Sequence, residues 1–144
     1  MANVQTYSPG DCSIIFDGNE MVGFADGTFV VVEREEDSFT KVTGADGEVS
    51  RTKNANRSGT VTITLKQTSD SNRILLGLLA TDEDDGSGVA ELSVKDNLTY
   101  KAFSSEAWIQ KPPNMELGKE QSDREWVFGV ADIKFTPPAA APSV

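Results

Sequence analysis

Apolar and polar positions along this chain alternate with period two in many short runs and recur with the helical period in one place, a pattern that predicts a β-rich fold. Ser13 to Phe16 and Met21 to Phe24 flank Asp17-Gly18-Asn19, where glycine and asparagine tolerate the positive φ of a tight turn, so the first elements read as a hairpin. A turn at Asp26-Gly27 leads into TFVVVERE, apolar on both pleat faces until Glu33, which predicts a central strand or one covered by a helix. Phe39 to Val42 continues as strand. Gly44 to Thr60 is then a long polar excursion, with Val49 its one sizeable apolar residue and no regular element expected. Thr60 to Leu65 alternates throughout, Val61, Ile63 and Leu65 toward a core and Thr60, Thr62 and Thr64 away from it. Ile74, Leu75, Leu78 and Leu79 recur at helical spacing behind a cap at Ser69 or Asp70, and TDEDDGSG is expected to close that helix as a loop. Ala90, Leu92 and Val94 alternate with Glu91, Ser93 and Lys95 in another strand, with Leu98 to Ala102 pairing back through Asp96-Asn97. Phe103 to Lys119 reads as irregular apart from Ala107-Trp108-Ile109, because Pro112-Pro113 forbids regular structure. REWVFGVADIKF reads as a long central strand with Trp126, Phe128 and Val130 on one face.

Seven or so strands and one helix argue for a mainly β fold: two packed antiparallel sheets, a sandwich or partial barrel, with the helix flanking them. Val61, Ile63, Leu65, Ile74, Leu75, Leu78, Trp126 and Phe128 are the expected core. A length of 144 residues suits one domain over 1–135, followed by a proline- and alanine-rich tail over 136–144 that is expected to be mobile or to lie on a partner.

Charge and composition narrow the chemistry. Thirteen basic against 23 acidic residues give a net charge of −10, which opposes specific binding to a phosphate backbone. No apolar run approaches the roughly 18 residues of a membrane span, and the opening MANVQTYSPG has no apolar leader, so no membrane anchor is expected and the chain is read as made in the cytoplasm. With no histidine, the commonest general base and transition-metal ligand is missing, and with Cys12 alone no internal disulfide forms. Cys12 is expected to be a buried structural thiol.

Each constellation that could carry chemistry has a plainer account. Asp82, Glu83, Asp84 and Asp85 lack the glycine position and the bidentate glutamate of a calcium loop and read as a solvated turn. Glu33, Glu35, Glu36 and Asp37 around Arg34 read as a charged strand end rather than a catalytic carboxylate pair. Gly86-Ser87-Gly88 lacks the rest of a dinucleotide fingerprint. Trp108 and Trp126, with Phe103 and Tyr100, could form a sugar-stacking platform, although Trp126 fits an apolar strand. No enzymatic activity and no cofactor are expected. The excursion itself, with Asp46 and Glu48 against Arg51, Lys53 and Arg57, is either disordered or a binding element.

VTGADGEVSRTKNANRSGTVTITLKQTSDSN, with GFADGTFVVVERE, SEAWIQKPP and the REWVF strand, resembles the small tail tube proteins of contractile-tailed bacteriophages, from about Val4 to Phe135. The resemblance implies a virion protein with two roughly orthogonal sheets and a flanking helix. It implies hexameric rings whose inner strands join into a continuous barrel and stack into a hollow tube. Partners implied are other copies of the chain, the tail sheath protein, tape-measure and baseplate proteins, and DNA only in transit through an acidic lumen. The excursion, 44–59, becomes an assembly arm between subunits and rings, with Asp46, Glu48, Val49, Arg51, Lys53, Asn54 and Arg57 as its contact residues. The two acidic runs, Glu33 to Asp37 and Asp82 to Asp85, are its expected counterparts. A carbohydrate-binding or baseplate accessory β-domain is the rival reading.

Overall fold

The alternation of Thr60 to Leu65 becomes the strand on which the rest is assembled. A computed structural model gives the architecture and describes residues 6–96 and 101–136. The elements run β1 (Ser13–Phe16), β2 (Asn19–Glu20), β3 (Val30–Arg34), β4 (Phe39–Thr43), β5 (Val49–Lys53), β6 (Gly59–Leu65), α1 (Ser71–Asp85), β7 (Ala90–Lys95), β8 (Lys101–Lys111), β9 (Arg124–Val130) and β10 (Lys134–Thr136). Eight strands form one antiparallel sheet in the order β2-β1-β7-β8-β9-β6-β3, with β10 continuing beside β8, and β4 and β5 form a second sheet of their own. The large sheet does not close into a barrel: β2 and β3 remain its edges. The fold is thus mainly β, with two antiparallel sheets and one helix.

Burial on β6 is strictly periodic, Gly59, Val61, Ile63 and Leu65 inward and the three threonines half-buried on the other face. Its neighbour β9 contributes Trp126, Phe128 and Val130, and β1 contributes Ile14 and Phe16, all buried. The rings of Phe16 and Phe128 meet edge to face at 5.0 Å, a geometry that adds about 0.5–1.5 kcal/mol to the area they bury. Burying each large side chain here is worth about 1.5–3 kcal/mol, so the core is the main source of stability.

Helix α1 is fixed to this core by its first turns. Ser71 is buried and its Oγ accepts the Val22 N–H at 2.9 Å, Leu75 is fully buried, and Asn72 Oδ1 accepts the Trp126 indole N–H at 2.9 Å. Leu78 and Leu79 are half-buried against the core. Ser71, Leu75 and Leu78 therefore define the inward stripe, and Ile74, expected in the core, falls beside it and is 37% exposed. The acidic run is also placed differently from expectation: Asp82 to Asp85 continue the helix instead of forming a loop, and Gly86, with φ 73°, supplies the left-handed residue that ends it.

Several other expectations are corrected. Among the described residues TFVVVERE is an edge strand, paired only with β6; Val30 and Val32 pack inward while Val31 (47% exposed) and Glu33 face out. Phe103 to Lys119 is not irregular at its start, because β8 runs unbroken to Lys111. Its alternation is hidden by a bulge: Ala90 pairs with Ala107 but Leu92 with Ser104, so β8 carries one extra residue and its inward positions switch from Ala102 and Ser104 to Ala107 and Ile109. The buried Ser104 hydroxyl holds the bulge by bonding the Glu106 backbone through both its N–H and its carbonyl. The last predicted strand is interrupted at residues 131–133, between β9 and β10. Met21 to Phe24 forms a strand only at its preceding pair Asn19–Glu20, with Phe24 making a single bridge to Leu65. Cys12 is half-buried just ahead of β1, its thiol 3.6 Å from the Tyr7 hydroxyl. Leu98 to Tyr100 and 137–144 of the proposed tail lie outside the described residues.

Gly59 tests this packing. A Cβ there would sit 2.1 Å from the Glu33 carbonyl and 2.6 Å from Ile133 Cδ1, so Gly59→Ala must push β3 off β6. We expect a loss of about 1–3 kcal/mol in urea unfolding with an unchanged slope. A midpoint equal to that of the parent chain contradicts the β3–β6 register.

Candidate assembly surface

The central excursion is not a structureless loop, as its composition suggested, but the outer half of a hairpin. β4 and β5 pair from Phe39–Lys53 to Thr43–Val49, and the connection closes through Gly44 N–H to the Glu48 carbonyl at 2.7 Å and Gly47 N–H to the Gly44 carbonyl at 3.0 Å. Gly47 takes the left-handed conformation (φ 87°) that such a short loop requires at its last position. Asp46 Oδ1 accepts the Glu48 N–H at 3.1 Å and rigidifies the tip.

Every residue of β4 and β5 is exposed. The register puts Phe39, Lys41, Thr43, Val49, Arg51 and Lys53 on one face and the uncharged Thr40, Val42, Ser50 and Thr52 on the other. Arg51 stacks its guanidinium 4.3 Å above the Phe39 ring, and Lys41 stands directly opposite Arg51, a like-charge pair that disfavours the isolated hairpin. A lone two-stranded ribbon is marginal in water, so this one depends on its base.

That base is a hydrogen-bonded neck. Asn54 N–H bonds the Ser38 carbonyl at 2.8 Å, Glu36 Oε2 accepts from the side-chain amides of both Asn54 and Asn56 at 2.9 Å, and Ser58 Oγ donates to Glu35 Oε2 at 3.2 Å. The Asn54 amide, then that of Asn56, holds the Glu36 carboxyl below its ordinary value. Arg34 ties the neck to the body: Nη1 donates to Ser38 Oγ at 3.0 Å, Nη2 to the Ile133 carbonyl at 2.6 Å, and the guanidinium lies 4.8 Å over the Phe135 ring. Between neck and β10 opens a cleft of about 360 Å³ lined by Arg34, Lys53, Arg57 and Lys134 with Phe39 and Phe135, and by no carboxylate.

The two acidic runs have different surroundings. Glu35 and Glu36 serve the neck, whereas Asp82 to Asp85 form the last turn of α1, with no basic residue in that turn. Asp82 and Asp85 accept backbone N–H groups from Gly88 and Ser87 at 3.0 and 2.9 Å. Ser87 keeps the Asp85 carboxyl below its ordinary value. Among the described residues no group of His, Cys, Asp or Glu is arranged to hold a metal ion, and no helix is long and apolar enough to cross a membrane.

The structure brings Lys53, Asn54 and Arg57 together at the hairpin base, places Val49 and Arg51 along its shaft, and leaves Asp46 and Glu48 at its tip. Arg34, Lys41, Lys134 and the rings of Phe39 and Phe135 were not among the contact residues expected from the sequence. Asp46-Gly47 between alternating segments was a legible hairpin signal, while the cleft, which joins residues 34 and 134, was not. The tryptophans form no shared platform: Trp126 is fully buried, and Trp108 covers Gly129 on the opposite face, its ring within 2.8 Å of where a Cβ would stand.

The family described as the bacteriophage PhiTE tail tube protein matches residues 6–136. The chain is similar to structural protein ORF10 of Pseudomonas phage KPP10, 32% identical over 139 residues that cover 90% of this chain and 80% of that protein. Its fold is similar to that of the tube-terminating cap of the anti-feeding prophage (TM-score 0.61, 6% identity, 95% of each chain covered). It is likewise similar to a chain of the sheath–tube complex of PVC, an extracellular contractile injection system, in the extended state (TM-score 0.60, 7% identity, 92% of each chain covered). At such identities these two likenesses concern the fold alone.

The neck makes a pH prediction. Hydrogen bonding lowers the folded-state value of Glu36, so its contribution is fully present above the ordinary glutamate value of about 4.3 and is lost as pH falls through the lower folded value. We expect the Asn54 and Asn56 side-chain amide resonances to collapse toward free values only below that range, and Glu36→Gln to remove the transition. Resonances that titrate at or above the ordinary value contradict the neck as described.

Proposed function

The chain belongs to the bacteriophage PhiTE tail tube protein family, and on that premise we propose that it is the repeating subunit of the tube inside a contractile tail, forming stacked hexameric rings that the genome crosses. It is a structural protein of the phage tail, with a non-enzymatic role in the virion. The observation that carries the reading is a fold whose edges and hairpin are left unfinished: β3 has one strand partner, and the hairpin exposes Phe39, Val42 and Val49. Open edges favour indiscriminate pairing, and ring closure between identical copies removes them. In this proposal the hairpin is the arm through which a subunit grips its neighbours, with Asp46, Glu48, Val49, Arg51, Lys53, Asn54 and Arg57 as contact residues.

The lumen wall is proposed to be the sheet face opposite the core, where Thr60, Thr62 and Thr64 stand among Glu33, Glu91 and Glu125. Lys95 shares that face. Carboxylates there would keep passing phosphates from adhering, because the Debye length of about 8 Å spans a good part of a narrow bore. Sheath, tape-measure and baseplate proteins are the further partners expected of such a tube, and the fold shared with a sheath–tube complex supports the first of them. The carbohydrate-binding alternative finds no support, since Trp126 is fully buried.

The neck shows how to test the arm. Asn54 N–H meets the Ser38 carbonyl at 2.8 Å, so Phe39 to Lys53 can be excised and the ends joined by a short Gly-Asn turn. The shortened chain is expected to keep its circular dichroism and cooperative unfolding while losing rings and tubes in sedimentation and negative-stain images. Normal tubes from the shortened chain contradict the arm.

A further inference from the structure

Resting on that reading of the chain as a self-assembling tube subunit, we propose that the basic cleft at the hairpin base receives the acidic last turn of α1 from a second copy. The cleft is an anomaly in a chain of net charge −10 with 13 basic residues: four of them line one concave surface of about 360 Å³. Arg34 is committed through its Nη atoms to Ser38 and Ile133, and its Nε is buried without a partner. The side chains of Lys53, Arg57 and Lys134 make no hydrogen bond or ion pair among the described residues, and the carboxylates of the neck, Glu35 and Glu36, are held by Ser58, Asn54 and Asn56. Like charges gathered with no counter-charge repel, and an incoming carboxylate relieves that repulsion. The exposed rings of Phe39 and Phe135 line the same cleft and offer apolar surface that an incoming helix turn would cover.

Asp82 to Asp85 are the matching surplus. A helix C-terminus already carries partial negative charge, so four carboxylates in that turn, without a base among them, form a site that itself calls for cations. Asp82 and Asp85 are partly satisfied by backbone N–H groups, while Glu83 and Asp84 project with no partner among the described residues. The acids of the hairpin tip are a weaker fit, being two, one of them engaged by the Glu48 N–H. Among the described residues no hydrogen bond or ion pair joins cleft and helix end within one subunit, and a contact between two copies uses the cleft of one and the helix end of the other, leaving a free helix end on the first and a free cleft on the second, the condition for head-to-tail propagation.

Charge reversal in trans tests the pairing. Arg57→Glu with Lys134→Glu, and separately Glu83→Lys with Asp84→Lys, are each expected to raise the concentration needed for assembly by about tenfold or more. The chain carrying all four changes, in which the reversed residues again meet opposite charge, should recover most of that loss. A disulfide between Arg57→Cys on one subunit and Asp84→Cys on another, in a Cys12→Ser background, should form in assemblies and is unaffected by any folding defect of the reversed chains. If the parent chain assembles and the reversals assemble equally well, or both fail with no recovery in the fourfold chain and no cross-link, the pairing is overturned and the tube reading stands. If the parent chain never assembles, both fall.

Discussion

The structure depends on one mismatch: the sheet completes its interior but not its perimeter. Val61, Ile63, Leu65, Trp126 and Phe128 fill one face so thoroughly that none is more than 2% exposed. At the margin, β3 has no second strand partner among the described residues, with Val31 looking outward at 47% exposure. A backbone edge of this kind binds whatever strand it meets, and selection of identical neighbours is the ordinary means by which β proteins neutralise it. The core therefore accounts for folding, and in the proposed assembly the perimeter accounts for association.

Electrostatics then distribute the work. The negative balance of the chain opposes adhesion to a phosphate backbone, whereas six of its 13 basic residues, Arg34, Lys41, Arg51, Lys53, Arg57 and Lys134, stand on the hairpin or at its base. Exposed pairs of this kind contribute about 0–1 kcal/mol each, so in the proposed assembly they select register and orientation while edge pairing and apolar burial supply the affinity. The neck makes this division possible. Glu36, Asn54, Asn56 and Arg34 fix the angle of a hairpin whose strands are exposed throughout, so in the proposed assembly the arm is preorganised for its contact.

What the sequence revealed follows from how local each determinant is. Strict alternation located β6 and the inward face of β9, because period-two burial is written in adjacent residues. It failed in β8, where a single bulge at Ser104–Glu106 reverses the phase, and in TFVVVERE, where a run apolar on both faces signalled a covered strand although the partner is another chain in the proposed assembly. Ile74 was misplaced because four apolar positions admit two stripes, and only Ser71, a polar residue buried by its bond to Val22, reveals which one faces inward. The hairpin shaft was obscured by its polarity, since a strand exposed on both faces has no hydrophobic alternation to display. The basic cleft could not be read at all: Arg34 and Lys134 lie a hundred positions apart, and only the pairing of β10 with β8 and the bond from Arg34 to Ile133 bring them together.

Cryo-electron microscopy of the full chain across a concentration series tests the central claim most directly. The account predicts monomers giving way to closed rings and hollow stacked tubes, in which β3 is paired along its free side by a strand of a neighbour and the hairpin contacts another copy. A chain that stays monomeric at every concentration, or tubes in which β3 and the hairpin remain in solvent, would contradict it.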